Sequence, residues 1–114
     1  MLIDFNQMKE ITAPGMNNGT GTMNARMYAD ENNRMICCRI HAGGSIGTHK
    51  QEESSDINYV LSGHGRAICD GKEEMLTPGT CHYCKSGQEH AIINDGDEDL
   101  VLFTVVSKVP AVSD

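Results

Sequence analysis

The sequence predicts an all-β domain of the sandwich, jelly-roll or small-barrel type. Twelve of its 114 residues are Gly, which indicates many tight turns and therefore many short strands. Short segments rich in apolar and β-branched residues recur at roughly ten-residue intervals with turn residues between them. No segment shows a sustained period of 3.6 residues, so little helix is expected. A chain of this length forms one domain, which we expect to span residues 1–114.

The strand pattern begins after an irregular N-terminal segment. Residues 1–22 are expected to form an arm and a loop, with at most a short helix near 6–12, and residues 23–108 to form the barrel. Asp70-Gly71 gives the strongest hairpin signal, because this dipeptide favours a two-residue turn between antiparallel strands. The predicted strands are 26–29, 35–41, 57–61, 66–69, 72–76, 81–84, 90–94 and 100–106.

The charge pattern excludes two classes of partner. The net charge is −7, and the nine Lys and Arg residues are scattered singly, so no basic patch predicts binding to nucleic acid or to an anionic membrane surface. No apolar run approaches the length needed to span a bilayer. The first residues carry neither a basic nor an apolar region of a signal peptide, and we therefore expect a soluble, cytoplasmic protein.

The five cysteines are expected to be reduced and inert. An odd number in a reducing compartment argues against a disulfide framework. Cys81 and Cys84 have the spacing of half a zinc or redox motif, but residues i and i+3 of a strand point to opposite faces. Packed thiols are therefore the favoured interpretation.

Two glycine-bounded motifs contain side chains that can bind a metal. His49 and Gln51 lie two residues apart, so on a strand their side chains share a face. In the second motif His90 and Asn94 lie four residues apart and share a face on a strand for the same reason. A mixture of imidazole and oxygen donors suits a divalent cation. The motifs are Gly43-x5-His49-x-Gln51-x4-Asp56-x6-Gly63 and Gly79-x5-Lys85-x-Gly87-x2-His90-x3-Asn94.

These motifs resemble the paired signature of the cupin superfamily, G-x5-H-x-H-x3–4-E-x6-G followed by G-x5-P-x-G-x2-H-x3-N. The resemblance covers residues 35–106. Within the superfamily, the chain is similar to small single-domain cupins of the oxalate-decarboxylase-like type. It implies a double-stranded β-helix, the jelly-roll barrel of the cupins. It also implies one divalent ion (Mn, Fe, Co, Ni or Zn) inside the barrel, with ligands His49, Gln51, Asp56 and His90.

The sequence departs from the cupin pattern at two ligand positions. Gln51 replaces the second histidine and offers a neutral amide oxygen, which binds transition metals less strongly than imidazole. Asp56 replaces glutamate and is one methylene shorter, so it either binds the ion or stands beside it as a hydrogen-bonding partner or acid. Glu53, Tyr59 and Asn94 are further candidates for the cavity around the metal, and His41, His64 and His82 are expected to lie outside it.

Two functions remain open at this stage. The first is a metal-dependent enzyme, such as a decarboxylase, isomerase or dioxygenase, that acts on a small chelating carboxylate or sugar. The alternative is a non-catalytic barrel that binds or senses a small ligand, with a weakly held metal or none. In either case we expect a homodimer, because a jelly roll of this size has sheet edges that need cover and twofold dimers are the commonest assembly.

Overall fold

The computed structural model describes residues 1–109 and consists almost entirely of β-strands. One 3-10 turn, Phe5–Gln7, precedes ten strands. The strands are β1 (Ile11–Pro14), β2 (Thr22–Ala29), β3 (Asn33–Ile40), β4 (Ser45–Lys50), β5 (Ser54–Ser62), β6 (Gly65–Cys69), β7 (Lys72–Leu76), β8 (Cys81–Cys84), β9 (Glu89–Ile93) and β10 (Leu100–Lys108). In the part of the chain from 1 to 109, no helix is long and apolar enough to cross a membrane.

The strands form two antiparallel sheets with the core between them. The larger sheet has the order β1-β2-β3-β10-β5-β8 and the smaller has the order β4-β9-β6-β7. One hydrophobic cluster joins the two sheets, with Ile40, Val60 and Leu102 from the larger and Ala67 and Ile92 from the smaller. Each of these five side chains is at most 1 % exposed. This arrangement is the predicted jelly-roll barrel.

Each of the eight predicted strands coincides with an observed one, but two observed strands, β1 and β4, are absent from the predicted set. Residues 1–22 were expected to form an arm and a loop, and Pro14 argues against a strand, yet β1 is the outermost strand of its sheet, where a missing N–H is tolerated. The helix expected near 6–12 is a single 3-10 turn, with the Asp4 carboxylate accepting a hydrogen bond from the Asn6 N–H.

Strand β4 is irregular because the loop after β1 lies directly on it. The Ser45 N–H donates to the Thr20 carbonyl at 2.9 Å, and the Gly47 N–H donates to the Met16 carbonyl at 2.9 Å. A β-carbon at Gly47 would collide with the Asn17 carbonyl oxygen. The β4–β9 register shifts between Ile46 and His49, so the alternation that marks a strand in sequence is interrupted here.

Candidate metal centre

Three strands and one loop bring the four predicted ligands together. His49 lies on β4 directly opposite His90 on β9 in the strand register. Gln51 follows β4, where its N–H donates to the Gln88 carbonyl at 2.9 Å and thereby ties the end of the strand to the turn before β9. Asp56 lies on β5 of the other sheet and points inward with only 8 % exposure.

The donor atoms of these residues converge at short distances. His49 Nε2 lies 3.1 Å from His90 Nε2 and 3.0 Å from Gln51 Oε1. Asp56 Oδ2 lies 3.3 Å from His90 Nε2. Ligand atoms of His49, Asp56 and His90 all fall within 4.8 Å of one another. His90 is only 1 % exposed, so the centre is shielded from bulk water on one side.

A hydrogen bond to the backbone determines which nitrogen of His49 carries the proton and which offers a lone pair to the centre. His49 Nδ1 lies 2.8 Å from the Gly47 carbonyl oxygen. A carbonyl can only accept, so Nδ1 must carry the proton. In the neutral ring, Nε2 is then unprotonated and directs its lone pair at His90 and Gln51.

A hydrogen-bonded chain from half-exposed Glu74 through buried His82 fixes His90 in the same way. Glu74 Oε1 lies 2.7 Å from His82 Nδ1, and His82 Nε2 lies 2.9 Å from His90 Nδ1. The Glu74 carboxylate accepts from His82 Nδ1–H, so with neutral rings His82 Nε2 accepts from His90 Nδ1–H. His90 Nε2 is therefore also unprotonated. The His82 side chain is fully buried, at 0 % exposure, so water does not reach its ring nitrogens, whereas the Glu74 side chain is 42 % exposed.

The two oxygen ligands are oriented by their own partners. Gln51 Nε2 donates to Ser54 Oγ at 3.0 Å, which turns Gln51 Oε1 toward the centre. Asp56 Oδ1 accepts from Asn58 Nδ2 at 3.0 Å, and Asn58 Oδ1 accepts from Thr104 Oγ1 at 2.8 Å. The second carboxylate oxygen, Oδ2, is left to face the donor atoms of the other three residues.

The resulting cluster fits a cation. Two imidazole lone pairs, an amide oxygen and a carboxylate oxygen face one another with no hydrogen between them, an arrangement that is repulsive unless a positive charge occupies the space. Two nitrogen and two oxygen donors suit Mn, Fe, Co, Ni and Zn alike. The ligand chemistry thus agrees with the residues predicted from the two motifs.

Of the three further cavity candidates, only Glu53 lines the cavity that contains these donor atoms. Tyr59 is on the outer face of β5 with 44 % exposure, so the prediction that it lines the cavity is wrong: inward residues of β5 are Asp56 and Asn58, and Tyr59 alternates with them. Glu53 is exposed at the mouth of the cavity. Asn94 is buried, but its amide donates to the Ile40 and Glu98 carbonyls at 2.8 Å and links the end of β3 to the loop before β10.

His82 is the residue of the site that sequence reasoning placed wrongly. It was expected outside the barrel, yet it is 1 % exposed and contacts His90. The alternation of Cys81, His82, Tyr83 and Cys84 contained the signal, because Cys81 and Tyr83 are exposed while His82 and Cys84 are buried. The sequence-based prediction assumed that the polar residue faces solvent and so exchanged the inner and outer faces of this strand. His64 is exposed, as expected, and His41 bonds to Asp99 at 2.8 Å on another part of the surface.

The five cysteines all lie within residues 1–109 and are free thiols in this part of the chain. Burial raises the pKa of the Cys38 and Cys84 thiols to about 12, which keeps both neutral at physiological pH. Neither of these thiols is a metal-ligand candidate in this state. Cys81 is exposed on the outer face of β8.

Comparison with known proteins agrees with the motifs and the barrel. Residues 37–106 match the family Cupin_2, described as a cupin domain. The oxalate-binding protein of Thermotoga maritima is 34 % identical over 68 residues, which are 60 % of this chain and 56 % of that protein, so the match spans little more than half of the relative.

Solved structures share the fold at lower identity. A Thermotoga maritima protein described as a predicted oxalate decarboxylase superposes with a TM-score of 0.88 at 24 % identity, over 96 % of this chain and 100 % of the other. KdgF from Halomonas sp. gives a TM-score of 0.67 at 16 % identity, over 85 % and 94 %. At these identities the likeness establishes the fold alone. Together with the match over residues 37–106, it identifies this chain as a cupin of the Cupin_2 family, folded as a jelly-roll barrel of two antiparallel sheets.

Proposed function

We propose that this cupin binds a small chelating metabolite at one divalent transition metal held by His49, Gln51 and His90, with Asp56 as the fourth ligand. The observation that carries the proposal is that the Nε2 atoms of His49 and His90 lie 3.1 Å apart while Nδ1 of each ring is hydrogen-bonded on the opposite side. In neutral rings these bonds leave both Nε2 atoms unprotonated. Such a pair is unfavourable by itself and favourable around a cation.

Four protein ligands leave one or two coordination positions for the metabolite. When bound, the metal supplies Lewis-acid chemistry to a carbonyl or carboxylate oxygen. The protein holds both imidazoles in the coordinating tautomer and orients Asp56 through Asn58. A ligand with two neighbouring oxygens would bind most tightly, because it can occupy both open positions.

Turnover needs an acid or base beside the metal, and the structure narrows the candidates. Of the three groups suggested by the sequence, Tyr59 faces away from the cavity and Glu53 is exposed at its mouth. Asp56 could serve only if it is not bound to the metal. This scarcity favours a second candidate function, ligand binding without turnover, over a decarboxylase, isomerase or dioxygenase. The relative from Thermotoga maritima is likewise named for binding.

The metal proposal is tested by competition with a chelator. His49→Ala and His90→Ala should each lose most of the affinity, whereas His64→Ala, which changes an exposed histidine of a turn, should retain it. Gln51→His should bind more tightly, because imidazole replaces an amide oxygen. Asp56→Ala should bind more weakly. Parent-like affinity in both alanine variants of His49 and His90 would place the metal elsewhere.

Elemental analysis identifies the metal, and turnover assays decide whether the protein catalyses a reaction. Protein purified without a metal-affinity tag should contain close to one equivalent of a divalent metal, and elemental analysis names it. The loaded protein is then incubated with small carboxylates and sugars while substrate loss is followed. Saturable binding with no loss of substrate supports the binding function, and multiple turnovers support the enzyme.

We also propose that the protein forms a homodimer through the outer face of the larger sheet. Tyr59 and Leu61 of β5 and Tyr83 of the adjacent β8 are exposed by 44 %, 52 % and 50 %. Such grouped apolar side chains on a sheet face are typical of subunit contacts. Light scattering at micromolar concentration should give a dimer, and Leu61→Asp should give a monomer. A parent protein that is monomeric under these conditions would refute the proposal.

A further inference from the structure

A cavity of about 720 Å³ opens beside the donor atoms and has two unlike ends. The polar end contains His49, Gln51 and Asp56. Asn58 and Thr104 also lie there, but they are already hydrogen-bonded to Asp56 and to each other. The volume is in the range of cavities that hold drug-sized molecules. A two-carbon acid at the metal would leave most of this space to water.

The other end is an apolar wall formed by β1, the loop after it, β2, β3 and β4. Large side chains of this wall remain exposed, with Ile11 at 59 %, Met16 at 50 % and Met27 at 50 %. They are three of the nine large hydrophobic residues exposed in the described part of the chain, and all three line the same cavity. Met23, Ile36 and Ile46 continue the wall inward. Apolar groups that converge on one cavity gain free energy when an apolar ligand covers them.

Basic side chains are confined to the opening of the cavity. Arg34, Lys50 and Lys108 line it, and all three are exposed. Among residues 1–109, the cavity lining contains no buried Lys or Arg. A carboxylate inside it would therefore have only the metal as a cationic partner. A second buried carboxylate, or the several hydroxyls of a sugar, would lose hydration without finding partners on this wall.

We propose that the ligand is amphiphilic, with one chelating head, such as a 2-oxo or 2-hydroxy carboxylate, on the metal and an apolar tail of several carbons along the wall formed by Ile11, Met16, Met23, Met27, Ile36 and Ile46. The flexible methionines adapt to tails of different shape. This assignment rests on the proposed metal site and specifies what that site selects. It distinguishes the ligand from oxalate and from sugars, which lack a tail.

The test is calorimetric titration of the metal-loaded protein with a series of 2-oxo acids that share one head and differ in tail length, from pyruvate to 2-oxooctanoate. Affinity should rise by about two- to fourfold for each added methylene until the wall is covered. Oxalate should bind more weakly than the longest member. Affinity that stays constant or falls along the series, or that is highest for oxalate, would overturn the proposal.

Wall variants separate this proposal from the metal site itself. Met27→Asp places a charge on the wall at a half-exposed position that tolerates it, so metal affinity should stay at the parent value while the gain per methylene is lost. Met75→Asp is the matched control, because Met75 is 68 % exposed on β7 and does not line the cavity. An unchanged series in Met27→Asp would contradict the wall assignment. Failure of the parent to bind metal would instead refute the proposed function.

Discussion

Glu74 does not touch the proposed metal, yet its removal should weaken metal binding. Its carboxylate accepts from His82 Nδ1–H at 2.7 Å, and His82 in turn accepts from His90 Nδ1–H at 2.9 Å. Without the carboxylate, His82 can adopt either tautomer. In one of them His82 Nε2 carries the proton and no longer accepts from His90. The His90 proton then moves to Nε2, where it donates to His49 Nε2 at 3.1 Å and occupies both nitrogens that are proposed to bind the metal.

The expected loss of metal affinity depends on how deeply each of the two supporting side chains is buried. Changes to residues that support a metal ligand cost about 10- to 100-fold in affinity. Glu74 has a side chain 42 % exposed, and Glu74→Gln retains an acceptor oxygen, so we expect the lower end, about tenfold. His82 is fully buried, and His82→Phe removes the acceptor altogether, so we expect about 100-fold, or roughly 2.7 kcal/mol.

Chelator competition measures the affinities, and two-bond proton–nitrogen NMR of the metal-free protein reports the tautomer of His90. Both variants should shift His90 toward the Nε2–H form, which a purely structural role would not do. Glu73→Gln is the matched control, because Glu73 is a neighbouring exposed acid of β7 that pairs with Arg66 at 3.7 Å. Parent-like affinity and an unchanged tautomer in folded His82→Phe would refute the reasoning.

Two further predictions concern the loop on β4 and the thiols. Gly47→Ala should lower the free energy of unfolding by about 1–3 kcal/mol in denaturant titrations, because the new β-carbon meets the Asn17 carbonyl, whereas Gly96→Ala, which has room, should not. A thiol reagent at pH 8 should label exposed Cys81 and leave folded Cys84, with its pKa near 12, unmodified. Because the unfolded chain loses the Cys84 proton above about pH 8.5 and the folded chain retains it, this thiol should lower stability as the pH rises further. Labelling of Cys84 before Cys81, or equal stability of the two glycine variants, would contradict these assignments.

The two glycine-bounded motifs, through their resemblance to the cupin signature, predicted both the jelly roll and the four residues whose donor atoms converge. Alternation within a strand places the side chain of His49 on one face of β4. Gln51 lies just beyond the end of β4, and its Oε1 still comes within 3.0 Å of His49 Nε2. The hairpin at Asp70-Gly71 likewise follows from local turn chemistry, and β6 pairs with β7 across it. These features depend on a few neighbouring residues and need no knowledge of distant contacts.

The sequence alone did not predict the residues that orient the candidate ligands through hydrogen bonds. His82 lies on β8 of the larger sheet and reaches across the barrel to His90 on β9 of the smaller one, beside Glu74 on β7. Alternation can assign His82 to one of two faces, but only the packing of the sheets decides which face is inside and which strand it meets. The same holds for Tyr59, which the packing places outside, and for the apolar wall, whose residues come from strands far apart in the chain. Local sequence patterns therefore predicted the candidate ligands of this cupin. The tertiary structure decided the tautomer of His90 and the shape of the cavity, because both depend on contacts between the two sheets.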